Sequence, residues 1–190
     1  MKVAYIIPWF KSNCREMWFQ VVWDFFESKW IMPVFVDIKW KRQTISQYLD
    51  QFNRQILNPE DEIYILWFSY WAIIALLSAS KLNVRELFLC SLSPFFNEDY
   101  KYLKKWWLNS NWKRRNEEFE KLSFDEIAKD INCKTNIFFW DKEEEVIKNR
   151  AYSANLKIKN STICEVYDSR HNINERRYLE SLEIAIGNII

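Results

Sequence analysis

Glycine is almost missing from this 190-residue chain: it occurs once, at Gly187, where average usage of about 7% predicts roughly 13. Histidine also occurs once, cysteine four times, and the net charge is only +1, from 27 Lys and Arg against 26 Asp and Glu. Each shortage excludes something. The cysteines (Cys14, Cys90, Cys133, Cys164) form no C-x-x-C pair, and a single histidine cannot help complete a zinc site. Neither a metal centre nor a disulfide framework is expected, and the thiols read as reduced core residues. The balanced charge supplies no strong field for nucleic acid or anionic lipid, so neither is expected as a partner. The apolar run Val3-Ala4-Tyr5-Ile6-Ile7 is short for a secretory signal and lacks a small-residue cleavage site. It reads as a first strand, and a cytoplasmic protein is expected.

What is present is apolar and aromatic: hydrophobic residues make up 49% of the chain and charged ones 28%, which excludes wholesale disorder. The length suits one domain spanning 1–190 with a sizeable core. One stretch imitates a membrane span. Ile63 to Ser80 runs 18 residues without a charge, at the threshold for crossing a bilayer. Ser69 interrupts it, and its halves differ. Ile63-Tyr64-Ile65-Leu66 is β-branched and aromatic, whereas Ala72-Ile73-Ile74-Ala75-Leu76-Leu77 favours helix. A buried strand followed by a buried helix explains both halves, and no stable span is expected.

Near-continuous apolar runs predict strands at about 2–7, 32–37, 62–67, 86–91, 135–140 and 162–167, the pattern of a parallel sheet covered on both faces. Helical patterns lie between them at about 14–29, 43–57, 70–82, 143–154 and 174–187. Thr44 with Gln47 reads as a capping box opening the second helix, and Asn58-Pro59 ends it. Strands alternating with helices predict a doubly wound α/β domain. The gap from 92 to 134 exceeds a simple crossover. Residues 94–131 read as a small helical insertion, a lid above the C-terminal strand ends, where such sheets bind ligands. Ser123 with Glu126 predicts a second capping box within it.

The third strand enters its helix through Trp67-Phe68-Ser69-Tyr70-Trp71. A serine between a buried strand and a buried helix is the setting of a nucleophile elbow, G-x-S-x-G. The spacing fits, but tryptophan stands at both glycine positions. Trp9 follows the first strand, Trp30 falls where a helix is expected to end on glycine, Trp112 lies in a turn-like Asn-Ser-Asn-Trp-Lys, and Trp140 closes the fifth strand. Six of the 11 tryptophans thus occupy positions that favour glycine. UGA is glycine in some codes and tryptophan in others, so translation with the wrong table generates this pattern. Peptide sequencing of the native protein across 62–81 distinguishes the two residues.

With glycine at 67 and 71, the segment 63–77 resembles the strand, elbow and helix of the α/β-hydrolase family, and the resemblance extends over nearly the whole chain. It implies a six-stranded sheet of order 2-1-3-4-5-6, the family's two leading strands being absent. It implies Ser69 as nucleophile. The backbone N–H of Tyr70 and that of Phe10, in Pro8-Trp9-Phe10-Lys11, would form the oxyanion hole, with Pro8 replacing the family's common histidine. Glu143 is the acid implied by the loop after strand five, with Asp141 and Glu144 as alternatives. His171 lies between the last strand and the last helix and is the implied general base, giving the order Ser, acid, His. The resemblance implies hydrolysis of a small-molecule ester or thioester without a cofactor. A non-catalytic binding protein of the same fold is the alternative if Trp67 and Trp71 are genuine. Lys101, Lys104, Lys105, Lys113, Arg114 and Arg115 in the insertion suit either a lid favouring an anionic or amphiphilic acyl substrate or a solvated helix with one apolar face.

Overall fold

The computed structural model describes residues 1–7, 17–69, 72–110, 112–169 and 171–189, with all their side chains except those at 107 and 110. Six strands form one sheet in the order β2-β1-β3-β4-β5-β6, every neighbouring pair being parallel. They are β1 (Lys2–Ile7), β2 (Met32–Phe35), β3 (Glu62–Phe68), β4 (Val84–Cys90), β5 (Lys134–Trp140) and β6 (Ser161–Val166). The order is the one implied by the resemblance. Pro33 sits in β2, at the sheet's edge, where a missing N–H does least harm to the ladder.

Eight α-helices accompany the strands among the described residues. They are α1 (Met17–Glu27), α2 (Ile45–Asn53), α3 (Ala72–Ala79), α4 (Lys105–Ser110), α5 (Lys113–Phe119), α6 (Phe124–Lys129), α7 (Glu145–Lys157) and α8 (Arg176–Gly187). Side chains alternate across each strand and feed two cores. On one face Val3, Tyr5 and Ile65 pack with α2, α3, the inner residues of α7 and the insertion. On the other, Ala4, Ile6, Tyr64 and Leu66 pack with Trp18, Phe19, Val22 and Phe26 of α1 and Tyr178, Leu182 and Ile186 of α8. Every residue of α3 is buried. The uncharged stretch therefore divides into β3 and α3, and no described helix is long and apolar enough to cross a membrane.

Local signals are largely realised, with some corrections. Thr44 and Gln47 form the full capping box at α2. That helix ends at Asn53, before Asn58-Pro59 is reached. At α6 only half of the box forms: Ser123 Oγ accepts from the Glu126 N–H, while the Glu126 carboxylate goes to Lys129. Glu98 caps the same helix end from outside, accepting from the Ser123 hydroxyl and from the N–H groups of Phe124 and Asp125. Burial raises the Glu98 carboxyl, but those donors outweigh it and hold it below the usual range.

The stretch between β4 and β5 contains a 3-10 turn (Tyr100–Tyr102), α4, α5 and α6. It is fastened to α2 by Arg115, which donates to the Gln43 carbonyl at 3.0 Å and the Tyr48 hydroxyl at 2.7 Å, and by Glu118, which accepts from the Ser46 hydroxyl at 2.7 Å. Arg115 is thus a buried anchor, while Lys104 pairs with Glu144 at 2.7 Å. The basic residues singled out in the sequence do not form a single surface.

Trp30 has φ 58°, in the left-handed region. Its N–H donates to the Glu27 carbonyl and that of Ile31 to the Phe26 carbonyl, the two bonds of a Schellman ending whose left-handed position favours glycine. The Trp30 side chain is 92% exposed, so it contributes little packing in return. Trp30→Gly is expected to raise stability by about 1 kcal/mol, read as an increased urea midpoint; an unchanged or lower midpoint would contradict this. The other positions differ. Trp112 has φ −70°, and Trp67 and Trp140 lie within strand ladders. None of these three needs glycine for its backbone, which corrects the steric expectation. Trp67 and Trp140 are wholly buried, however, and each indole N–H lacks a partner among the described residues, at a cost of about 1–3 kcal/mol apiece. Trp9 and Trp71 lie outside the described residues.

Candidate active site

The C-terminal edge of the sheet gathers the singled-out side chains. β3 runs straight into Ser69, whose φ of 63° turns the chain sharply before α3 begins. This left-handed residue is the serine itself, not Trp67, which lies within β3. Such backbone costs of order 1–3 kcal/mol and persists where its surroundings enforce it. Here Phe68 is fixed by the core: its ring meets Trp140 at 5.5 Å and Tyr178 edge-on at 5.8 Å. Trp67 lies on the opposite face, 6.4 Å from Trp40.

The loop after β5 is a tight turn in which the Glu143 N–H bonds to the Trp140 carbonyl, aiming Glu143 back over the sheet. This loop is laced to the one after β6. The Asp141 N–H bonds to the Val166 carbonyl, and Lys142 pairs with Asp168 at 3.0 Å. The Asp141 carboxylate accepts from the Ser169 N–H at 3.5 Å. Slight desolvation raises the Asp141 carboxyl, yet the Asp168 and Ser169 N–H groups bring it below its ordinary value. These ties fix the spacing between Glu143 and His171.

Ser69, Glu143 and His171 meet. Ser69 Oγ lies 2.8 Å from His171 Nε2, and His171 Nδ1 lies 3.2 Å from Glu143 Oε1. A proton on Nδ1 serves the carboxylate and leaves Nε2 free to accept from the serine hydroxyl. Exposure falls along the chain: the His171 side chain is 39% exposed and that of Glu143 only 4%. The imidazole is therefore reachable while its carboxylate partner is shielded. Trp140 stacks on the imidazole at 4.7 Å and 8°, and Phe68 approaches it at 5.5 Å, fixing the ring plane.

The alternative acids face elsewhere, Asp141 toward the Ser169 backbone and Glu144 toward Lys104. Phe10 and Tyr70, expected to supply the oxyanion donors, lie outside the described residues. No group of His, Cys, Asp and Glu that could hold a metal ion occurs among the described residues. Cys90, Cys133 and Cys164 are unpaired; burial pushes the Cys90 thiol up to about 12, leaving it unsuited to nucleophilic work.

Two residues at the site escaped the sequence reading. In the sequence Trp140 reads as a strand end at a glycine-like position, and stacking across loops leaves no local signal. Ser91 follows β4 directly, and its hydroxyl donates to Glu143 Oε1 at 2.5 Å. A serine leaving a strand is common in loops, so composition alone does not mark it.

No protein-family model and no curated protein sequence matches the chain. Solved structures do. Est1E from Butyrivibrio proteoclasticus is 14% identical, with a TM-score of 0.79 over 97% of this chain and 85% of that one. Alpha/beta hydrolase domain-containing protein 10 from mouse is 13% identical, with a TM-score of 0.78 over 98% and 88%. MenH from S. aureus is 14% identical, with a TM-score of 0.65 over 98% and 92%.

Proposed function

We propose, starting from a chain that has the α/β-hydrolase fold, that it is a serine hydrolase cleaving a small-molecule ester or thioester. The observation that carries this reading is the hydrogen-bonded chain from Ser69 through His171 to Glu143. Its members come from three separate loops at one edge of the sheet. A purely structural polar network has no reason to place a strained serine beside the chain's only imidazole. The neighbours named above include an esterase-type protein whose solved structures include one with ferulic acid bound, and that agrees with an acyl substrate.

The chemistry follows from the atoms. Ser69 Oγ attacks the carbonyl carbon as His171 Nε2 takes its proton. Glu143 keeps the other ring proton on Nδ1 and stabilises the imidazolium that forms. The carbonyl oxygen becomes an oxyanion, for which the main-chain N–H groups of Phe10 and Tyr70 are the assigned donors, worth about 3–4 kcal/mol each. Collapse expels the alcohol or thiol, protonated by His171, and leaves an acyl-Ser69 ester. Water, deprotonated by the same nitrogen, then releases the acid. The insertion at 94–131 is assigned as a lid over this edge, and the cytoplasm as the compartment.

A panel of chromogenic acyl esters and thioesters tests the reading, with Ser69→Ala as control. Turnover that vanishes in Ser69→Ala supports it; equal turnover in both would overturn it. A second reading, a non-catalytic binding protein, starts from the sequence, where tryptophan stands at both glycine positions of the elbow motif, 67 and 71. That reading predicts saturable binding of acyl compounds without turnover.

A further inference from the structure

We infer that Ser91 is a positioning residue for Glu143, fixing the carboxylate that orients His171. The inference rests on the hydrolase reading of the site but reaches a residue which that reading does not use.

Three observations carry it. Ser91 is the first residue after β4, and β4 lies between β3 and β5 in the sheet. It therefore emerges between the strand that delivers Ser69 and the one that delivers Glu143. Its φ is 52°, in the left-handed region, where a turn needing only space would favour glycine. The backbone N–H still bonds to the Phe138 carbonyl at 2.7 Å, so the strand alignment is held while the chain turns. Finally, the Ser91 hydroxyl, on a residue with no exposed surface, donates to the same Glu143 oxygen that faces His171 Nδ1.

Glutamate creates the need for this contact. It has one more rotatable bond than aspartate, so a buried Glu143 has an additional torsion by which Oε1 can swing away from the imidazole. Two donors converging on one oxygen remove that freedom. The serine also satisfies part of a carboxylate that is almost wholly withdrawn from water.

The test uses Ser91→Gly, which removes the hydroxyl while suiting the left-handed backbone, and Ser91→Ala as a second deletion. The expected result is an unchanged or higher thermal midpoint for Ser91→Gly. Its kcat should fall by about 10- to 100-fold with KM little changed. Because His171 is the only histidine, its carboxylate-bonded Nδ1–H gives one downfield proton resonance. That signal should be present in the wild type and broadened by solvent exchange in both variants. Wild-type kcat together with an unaltered resonance would overturn the assignment. The two readings fail separately. A wild type without turnover counts against hydrolysis, while the proton spectrum still decides whether Ser91 holds Glu143 against His171.

Discussion

His171→Ala is expected to lower kcat/KM by about 10⁴-fold or more while leaving the protein folded. The size of the effect comes from the lack of a substitute. No other histidine exists in the chain, and the Cys90 thiol is buried and pushed up to about 12. The fold should survive because the His171 side chain is 39% exposed, lying over the sheet edge rather than in either core. Glu143→Gln should lower kcat by about 10⁴-fold for a different reason. A glutamine amide can donate to Nδ1, which moves the ring proton to Nε2. That nitrogen would then face the Ser69 hydroxyl as a donor and could not take its proton. Steady-state kinetics alongside thermal unfolding separates the two causes of inactivity. A folded Glu143→Gln protein with wild-type kcat would remove Glu143 from the mechanism.

The largest expected effect on stability lies at Asp99 and Arg150. Arg150 donates from Nε to Asp99 Oδ2 at 2.9 Å and from a terminal nitrogen to Oδ1 at 2.5 Å. Its guanidinium sits 4.3 Å from the Phe124 ring and 5.1 Å from that of Phe96. The pair joins the start of the insertion to α7, the helix entered directly from the Glu143 loop. Burial raises the Asp99 carboxyl even though Arg150 pulls it down. The sign follows. A carboxylate whose folded pKa is raised contributes stability fully present below its unfolded pKa, lost as pH rises through the folded value. At neutral pH the ionised Asp99 thus lacks that contribution, but removing one partner of the buried pair costs more. Asp99→Leu should destabilise by about 3–5 kcal/mol, because Arg150 is left buried and uncompensated. Adding Arg150→Met should recover most of that loss. Urea midpoints of the wild type, both single variants and the double variant measure the cycle. A double variant no better than Asp99→Leu would show that the pair's charge is not the source of the effect.

Much of the fold was legible because both faces of the sheet are covered. Continuous apolar runs such as Glu86-Leu87-Phe88-Leu89-Cys90 leave little alternative to a buried parallel strand, and the sheet order followed from the resemblance at 63–77. His171 was legible for its rarity, and Ser69 for its place between a strand and a helix. Glu143 could be narrowed only to a cluster with Asp141 and Glu144. Its turn toward His171 depends on lacing between two loops 25 residues or more apart, as in the Lys142–Asp168 pair, and no local pattern encodes that. The tryptophans were legible in part. Trp30 occupies a left-handed helix end, as expected from its place before β2. Trp67 and Trp140 sit in extended strands, where their bulk is tolerated but their N–H groups find no partner among the described residues. Ser91 and the Asp99–Arg150 pair were missed because their meaning lies wholly in partners distant along the chain.

The central claim is that the Ser69 hydroxyl is made nucleophilic by His171. An active-site-directed fluorophosphonate, with the modified peptide identified by mass spectrometry, tests it most directly, since phosphonylation requires an activated serine but no knowledge of the natural acyl group. The account predicts stoichiometric modification of Ser69 in the wild type, none at that peptide in Ser69→Ala, and a labelling rate at least about 10³-fold slower in His171→Ala. An unmodified Ser69 in folded wild-type protein, or labelling just as fast without the imidazole, would contradict it.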